Sequence, residues 1–335
     1  MVSAFFMMFV THRREIVWAC AGIQLAVESG LRQFPCMLRL PAKGMEVFMR
    51  KGYRICLILL ILAAMAGCSG GPGSETMDFQ AEREWKAPEP AVGTRPRILF
   101  VGNSHTFYNN LPGTFINIVQ TMGHKSEVFE LAQDYYSLEK FADTENEVGA
   151  LLDKTVVGKK WDFVVLQENS SVAMSDSAEE NMYPYARVLD EKVKSSGGQT
   201  AFLMTWAPRD GIKEGFKKQS LEQLQSVMAE NYMAISDELN GLLIPAGISF
   251  MRCMKQYPDI ELWAPDGYHP SPAGTYLAAC TIYATVYQES PETCNYFGEL
   301  EMEEAHKLQK IAAELVLGGS KKTSARAGSK DETEL

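Results

Sequence analysis

The sequence predicts an α/β protein, a three-layer α/β/α sandwich around a central, mostly parallel five-stranded sheet. Three observations predict it. Between residues 95 and 317, short apolar runs alternate with longer stretches whose apolar residues recur at helical spacing. The runs are apolar nearly throughout, as strands covered on both faces are. Residue types suited to chemistry gather just after these runs, where sites lie in open parallel sheets. Single strands alternating with helices imply parallel pairing, and right-handed crossovers then put helices on both faces.

Arg97-Ile98-Leu99-Phe100-Val101-Gly102 is the first of the five strands and ends at a glycine. Leu111 to Met122 reads as a helix, with Asn110 as its cap and Pro112 in its first turn. Glu127-Val128-Phe129-Glu130-Leu131-Ala132 alternates and reads as the second strand. Ser137 to Lys154 reads as one helix, with Leu138, Phe141, Val148, Leu151 and Leu152 on one side. Asp162 to Gln167 is the strongest strand in the chain, and a helix over 178–194 leads to a fourth strand, Thr200 to Trp206. Leu221 to Leu239 is a long amphipathic helix, followed by a fifth strand from Gly241 to Ala246. Helices near 272–288 and 300–316 close the domain, which spans residues 97–317.

The chain has 335 residues, 46% hydrophobic and 22% charged, enough apolar matter for one sizeable core. Its formal net charge of -10 and lack of a Lys/Arg stripe exclude a nucleic-acid partner, which needs a basic face. Seven cysteines form neither CxxC pairs nor a Cys/His cluster with zinc spacing, so no metal or other cofactor is expected. Only Cys253, Cys280 and Cys294 fall in the predicted domain, and an odd count leaves at least one of them unpaired. The first strand ends without GxGxxG or GxxxxGK[ST], so a nucleotide's phosphates would lack a cradle.

Basic Met49-Arg50-Lys51-Gly52-Tyr53-Arg54 runs into the apolar stretch Ile55 to Ala64, then Met65-Ala66-Gly67-Cys68. A charged start, a short apolar stretch and small residues before the cut describe a secretory signal. Small residues directly before Cys68, with Ser69-Gly70-Gly71 after it, resemble a bacterial lipoprotein signal, residues 49–68. The resemblance implies that Cys68 becomes the lipidated first residue of the mature chain. The expected location is then export, with the chain lipid-anchored to a bacterial membrane at the periplasm or cell surface. This anchor would be its sole membrane contact. Residues 1–48 then read as an upstream extension, residues 69–96 as a flexible tether, and residues 318–335 as a disordered tail.

Three loops after predicted strands hold the chemistry. The first strand ends in Gly102-Asn103-Ser104-His105, the third in Gln167-Glu168-Asn169-Ser170, and Asp266-Gly267-Tyr268-His269-Pro270 follows the fifth. Acyl transfer needs a hydroxyl nucleophile, an imidazole base, a carboxylate to orient it and oxyanion donors. Gly-Asn-Ser-His resembles the GDS block of the SGNH (GDSL-like) hydrolases, with Asn103 in the usual Asp place. Asp266-Gly267-Tyr268-His269-Pro270 resembles that family's DxxHP block. The two motifs together, each after a strand, carry a resemblance over residues 97–290.

The resemblance implies Ser104 as nucleophile, His269 as base and Asp266 as its orienter. It implies an oxyanion hole from the Ser104 N–H, the Asn169 side chain and a backbone N–H after the second strand. That last block, Ala132-Gln133-Asp134-Tyr135-Tyr136-Ser137, has no glycine, and Asp134 or Tyr135 matches the position. Gln167, where the family has Gly, is the alternative donor, with a core-edge amide satisfied by backbone as its other reading. His105, Trp206 and Tyr135 are expected to line the substrate pocket, with a structural role as the other reading of His105 and packing under the loop as the other reading of Trp206. Ser271-Pro272 reads as an N-cap and first helical position. The expected function is a serine esterase acting on acetyl or other short acyl groups of a carbohydrate. A lipase, thioesterase or acyltransferase would use the same residues. A non-catalytic carbohydrate-binding lipoprotein on this fold is the alternative of another class.

Overall fold

The computed structural model describes residues 6–10, 16–20, 85–214 and 217–327. The signal segment, Cys68 and residues 69–84 of the expected tether lie outside these. Contacts divide the chain into two units, Met1–Gly73 and Ser74–Leu335. In the first, β1 (Phe6–Val10) and β2 (Ile16–Cys20) pair antiparallel.

The second unit is built on the apolar runs. Strands β3 (Arg97–Gly102), β4 (Glu127–Ala132), β5 (Phe163–Leu166), β6 (Gln199–Leu203) and β9 (Leu242–Ile244) form one sheet in the order β4-β3-β5-β6-β9. Every pairing in it is parallel. β3, β5 and β6 are buried nearly end to end, and β4 at the edge is half-buried, with Phe129 and Glu130 in its middle exposed. The chain reverses strand order between β4 and β5 on either side of β3, so the carboxyl end of β3 faces the switch point of the sheet.

The helices are α1 (Ser104–Phe107), α2 (Leu111–Thr121), α3 (Leu138–Ala142), α4 (Glu147–Val157), α5 (Ser170–Ala173), α6 (Ala178–Asn181) and α7 (Tyr183–Ser195). Further on are α8 (Leu221–Glu238), α9 (Ala246–Gln256), α10 (Pro272–Tyr287) and α11 (Met302–Ala327). α10 is buried along almost its whole length, and α11 and α2 pack against it.

Several expectations differ from what forms. The single helix expected over 137–154 is two, α3 and α4. Asn146 closes the gap, with its Nδ2 donating to the carbonyls of Lys140 and Asp143 and its Oδ1 capping the Gly149 N–H. A side chain that satisfies backbone groups in a turn competes with helix continuation. Leu151, expected on the apolar side, is 50% exposed. The helix expected over 178–194 also divides, because Pro184 in the first turn of α7 cannot continue a helix from before it. The antiparallel pair β7 (Ile212–Glu214) and β8 (Lys217–Gln219), and helix α9, were not foreseen.

Residues 85–96, expected as tether, lie against the fold. Trp85 Nε1 donates to the Leu315 carbonyl, Glu89 N–H to Gln199 Oε1, and Val92 N–H to Asp162 Oδ1. α11 likewise runs on to Ala327, into the tail expected to be disordered from Gly318. Cys253, Cys280 and Cys294 are all buried and unpaired.

Candidate active site

β3 delivers Ser104. A side chain at Gly102 would collide with Thr106 Oγ1 and Gln167 Oε1, so the strand must end in glycine for the turn to close over β5. Asn103 is buried, and its Nδ2 donates to the Tyr136 carbonyl at 2.9 Å while its Oδ1 accepts the His105 N–H at 3.2 Å. A carboxylate could not donate to Tyr136, which gives a physical reason for Asn rather than Asp here. Ser104 is then the first residue of α1, where a backbone N–H has no acceptor within the helix.

The Asp/His loop is a tight turn. Gly267 sits at φ +73° and its N–H donates to the Ala264 carbonyl at 2.9 Å. Asp266 Oδ1 accepts the N–H groups of Tyr268 (2.8 Å) and His269 (3.0 Å), and Oδ2 lies 2.7 Å from His269 Nδ1. Burial pushes the Asp266 carboxyl up, but these bonds outweigh it and bring it down to about 2. Beyond the loop, Ser271 caps the Gly274 N–H and Pro272 opens α10, as the sequence implied.

The two loops meet through rings. Tyr108 stacks on His269 with centroids 4.5 Å apart, and His105 lies 5.6 Å from the same imidazole. Asn109 Nδ2 donates to the Pro270 carbonyl at 2.8 Å. The segment carrying Ser104 is therefore fastened to the loop carrying Asp266 and His269. Among the described residues no hydrogen bond yet joins Ser104 to His269, and such bonds often tighten only around substrate. Burial, reinforced by His269, pulls the His105 imidazole down to about 4, so it stands neutral beside His269 at neutral pH.

Two comparisons bear on what this arrangement is. A protein from Slackia heliotrinireducens assigned to the SGNH hydrolases is 31% identical, covering 57% of this chain and 98% of its own, with a TM-score of 0.49. The chain belongs to the SGNH hydrolases. A DUF4886 family protein from Bacteroides uniformis, 16% identical, shares the fold over 67% of this chain and 95% of its own, with a TM-score of 0.55. No family model matches the chain, and no curated protein matches it.

This SGNH hydrolase departs from two of the site roles drawn from its sequence. Gln167 is no free donor: its Oε1 accepts the Asn103 N–H and the Thr106 hydroxyl, both at 2.9 Å, and its Nε2 donates to the Glu168 carbonyl. It locks the end of β3 to the end of β5. Trp206 does not line an open pocket. It is 1% exposed, stacks on Phe250 at 4.1 Å and donates from Nε1 to the Tyr268 carbonyl at 3.1 Å, supporting the Asp/His loop from beneath.

Asn169 caps α5, its Oδ1 accepting the Ser171 N–H at 3.0 Å, which leaves Nδ2 as its donor. Asp134 is exposed, and Tyr135 beside it has φ +59° and is 78% exposed. Tyr108, Asn109 and Glu168 belong to the site's framework and were not singled out from sequence. Asn109 and Asn110, at φ +51° and +54°, carried the one usable signal, since Asn tolerates the left-handed region better than other side chains.

The described part of the hydrolase has no grouping of His, Cys, Asp or Glu arranged to hold a metal. A cleft of about 420 Å³ opens between the starts of α2 and α10 and the loop 296–300. Asn109, Thr114, Asn117, Thr275, Tyr296 and Glu299 are among its lining residues.

Proposed function

We propose that the chain is a serine esterase that removes acetyl or other short acyl groups from a carbohydrate through an acyl-enzyme. The observation that carries this reading is the 2.7 Å Asp266–His269 pair, on a loop fastened to the turn that carries Ser104. In this mechanism Ser104 Oγ attacks the acyl carbon as His269 Nε2 takes its proton. His269 then gives that proton to the leaving alkoxide, and water releases the acyl group by the same route in reverse. Asp266 fixes the tautomer with Nδ1 protonated and balances the imidazolium without taking the proton. The Ser104 N–H, Asn169 Nδ2 and the Asp134 N–H are the donors we assign to the oxyanion, with Tyr135 and His105 at the rim.

The carbohydrate part of the proposal is supported by the cleft beside the base. Asn109, which lines it, follows Tyr108 in the chain and donates to the Pro270 carbonyl, next to His269. The cleft wall mixes the amides of Asn109 and Asn117, the hydroxyls of Thr114 and Thr275 and the Glu299 carboxylate with the apolar faces of Phe297 and Leu300. Such a lining suits a sugar, which has both polar and apolar faces. Export and lipid attachment at Cys68 belong to the same proposal. A mature chain whose first residue is an acylated Cys68, seen by mass spectrometry, would support them.

The test compares the full chain with Ser104→Ala on p-nitrophenyl acetate and acetylated xylan. Turnover should fall by about 10⁴-fold or more in the variant with its circular dichroism unchanged. Equal, low turnover by both well-folded proteins on these and on longer acyl esters would remove the esterase reading.

A further inference from the structure

Glu168 stands one residue before the proposed oxyanion donor and is 0% exposed. Its carboxyl Oε1 accepts two backbone N–H groups from different parts of the site. One is Asn169, at 2.5 Å, the other Leu138 at the start of α3, at 3.1 Å. Its backbone is equally committed. The Glu168 N–H donates to the Tyr232 hydroxyl at 3.0 Å, and its carbonyl accepts Gln167 Nε2 at 2.5 Å. Oε2 is buried with no hydrogen-bond partner. No cation offsets it among the described residues, and the titratable groups facing it are Glu139 from α3 and Tyr232 from α8.

A carboxylate in that position would bury a charge with one oxygen unsatisfied and another acid nearby, which is far costlier than burying the neutral acid. The chain nonetheless keeps an acid where an amide or a methylene chain would fill the same space. We propose that Glu168 is a positioning residue that works as a neutral carboxylic acid. It clamps the loop after β4 to the turn after β5, and so holds Asn169 and the Asp134 segment at the spacing the oxyanion requires. Ionisation of Glu168 loosens the clamp. Burial pushes this carboxyl up to about 8, so the change falls within an accessible pH range. No bond is made or broken by Glu168 itself. Its role rests on the esterase reading above, through Asn169.

Two measurements on the purified full chain test this. The first is kcat and KM for p-nitrophenyl acetate between pH 6 and 9.5, for wild type, Glu168→Gln and Glu168→Ala. Wild type should lose at least fivefold in kcat above about pH 8 with KM little changed. Glu168→Gln keeps, in a neutral group, the one oxygen that accepts both N–H groups. It should hold most of the neutral-pH kcat and show no alkaline fall. Glu168→Ala should lose tenfold or more in kcat at every pH. The second measurement needs no activity: melting temperature against pH for wild type and Glu168→Gln. A raised carboxyl stabilises the fold below its ordinary range and loses that contribution as pH rises through its folded value. Glu168→Gln should therefore gain steadily on wild type between about pH 4.5 and 8.

An alkaline fall that survives in Glu168→Gln, or a melting difference that does not change with pH, would overturn the proposal. An inactive wild type whose melting difference follows the expected course would instead remove the esterase reading. Glu168 would then stand as a neutral structural clamp.

Discussion

Asp266 divides its two oxygens between backbone and ring, and the division explains why a single tight turn can make a working pair. Oδ1 holds the N–H groups of Tyr268 and His269, which fixes where the histidine leaves the turn, and Oδ2 then meets Nδ1 of the same residue. Asp266→Asn would present either the wrong donor or the wrong tautomer to His269. A fall of about 10⁴ in kcat with little change in KM is expected, read by steady-state kinetics on p-nitrophenyl acetate. A pH effect follows as well. A carboxyl held at about 2 contributes stability that is present above its ordinary value and lost as pH falls through the folded one. Thermal melts between pH 5 and 2 should therefore fall less steeply in Asp266→Asn, by a small margin because the carboxylate is partly exposed to water. The residues of the proposed triad were legible in the sequence because each sits in a short motif after a strand. Glu168 and Tyr108 were not, since their roles depend on groups 30 to 161 positions away.

At the scale of elements, the end of β3 decides whether Ser104 is presented at all. Gly102, Thr106 and Gln167 fill one small space between β3, α1 and β5. Gly102→Ala forces Gln167 or Thr106 to move, and overpacking of this kind costs about 1–3 kcal/mol. The urea midpoint should drop accordingly, and activity should fall further than stability because the turn carrying Ser104, the proposed nucleophile, is what shifts. An unchanged midpoint would show that the space can relax. The five strands were readable because fully covered strands are apolar throughout. The breaks at 143–146 and before Pro184 were not, although the latter had a proline to mark it. Helical spacing of apolar residues persisted through both, and the capping bonds of Asn146 that interrupt it are decided by local geometry. Helix α9 went unread because it starts within three residues of β9, with no polar loop between them.

Across the whole molecule, residues 85–96 turn a presumed tether into part of the fold. They reach α11 through Trp85, β6 through Gln199 and the approach to β5 through Asp162. Asp162 also accepts the Arg97 N–H with its other oxygen, so the segment is fixed at the foot of β3, opposite the site. Trp85→Ala should lower stability by about 1–2 kcal/mol through lost apolar burial and the lost bond to Leu315. Limited proteolysis should then cut near residues 85–96 faster than in wild type, with turnover on p-nitrophenyl acetate preserved. Cleavage at the wild-type rate would show that the segment is held by its backbone bonds alone.

By itself the sequence determined the sheet, its parallel pairing and the three loops that carry Ser104, Asn169 and the Asp266–His269 pair. These follow from apolar periodicity and from motifs a few residues long, which are local properties of a chain. Tertiary structure decided what Gln167, Trp206, Tyr108 and Glu168 do. Each has a side chain whose partners lie on other elements, and hydrogen-bond capacity and burial are settled only when those elements come together. Gln167 could read as a donor to substrate until Asn103 and Thr106 occupied its oxygen and the Glu168 carbonyl its nitrogen. Trp206 could read as a pocket wall until Phe250 covered its face.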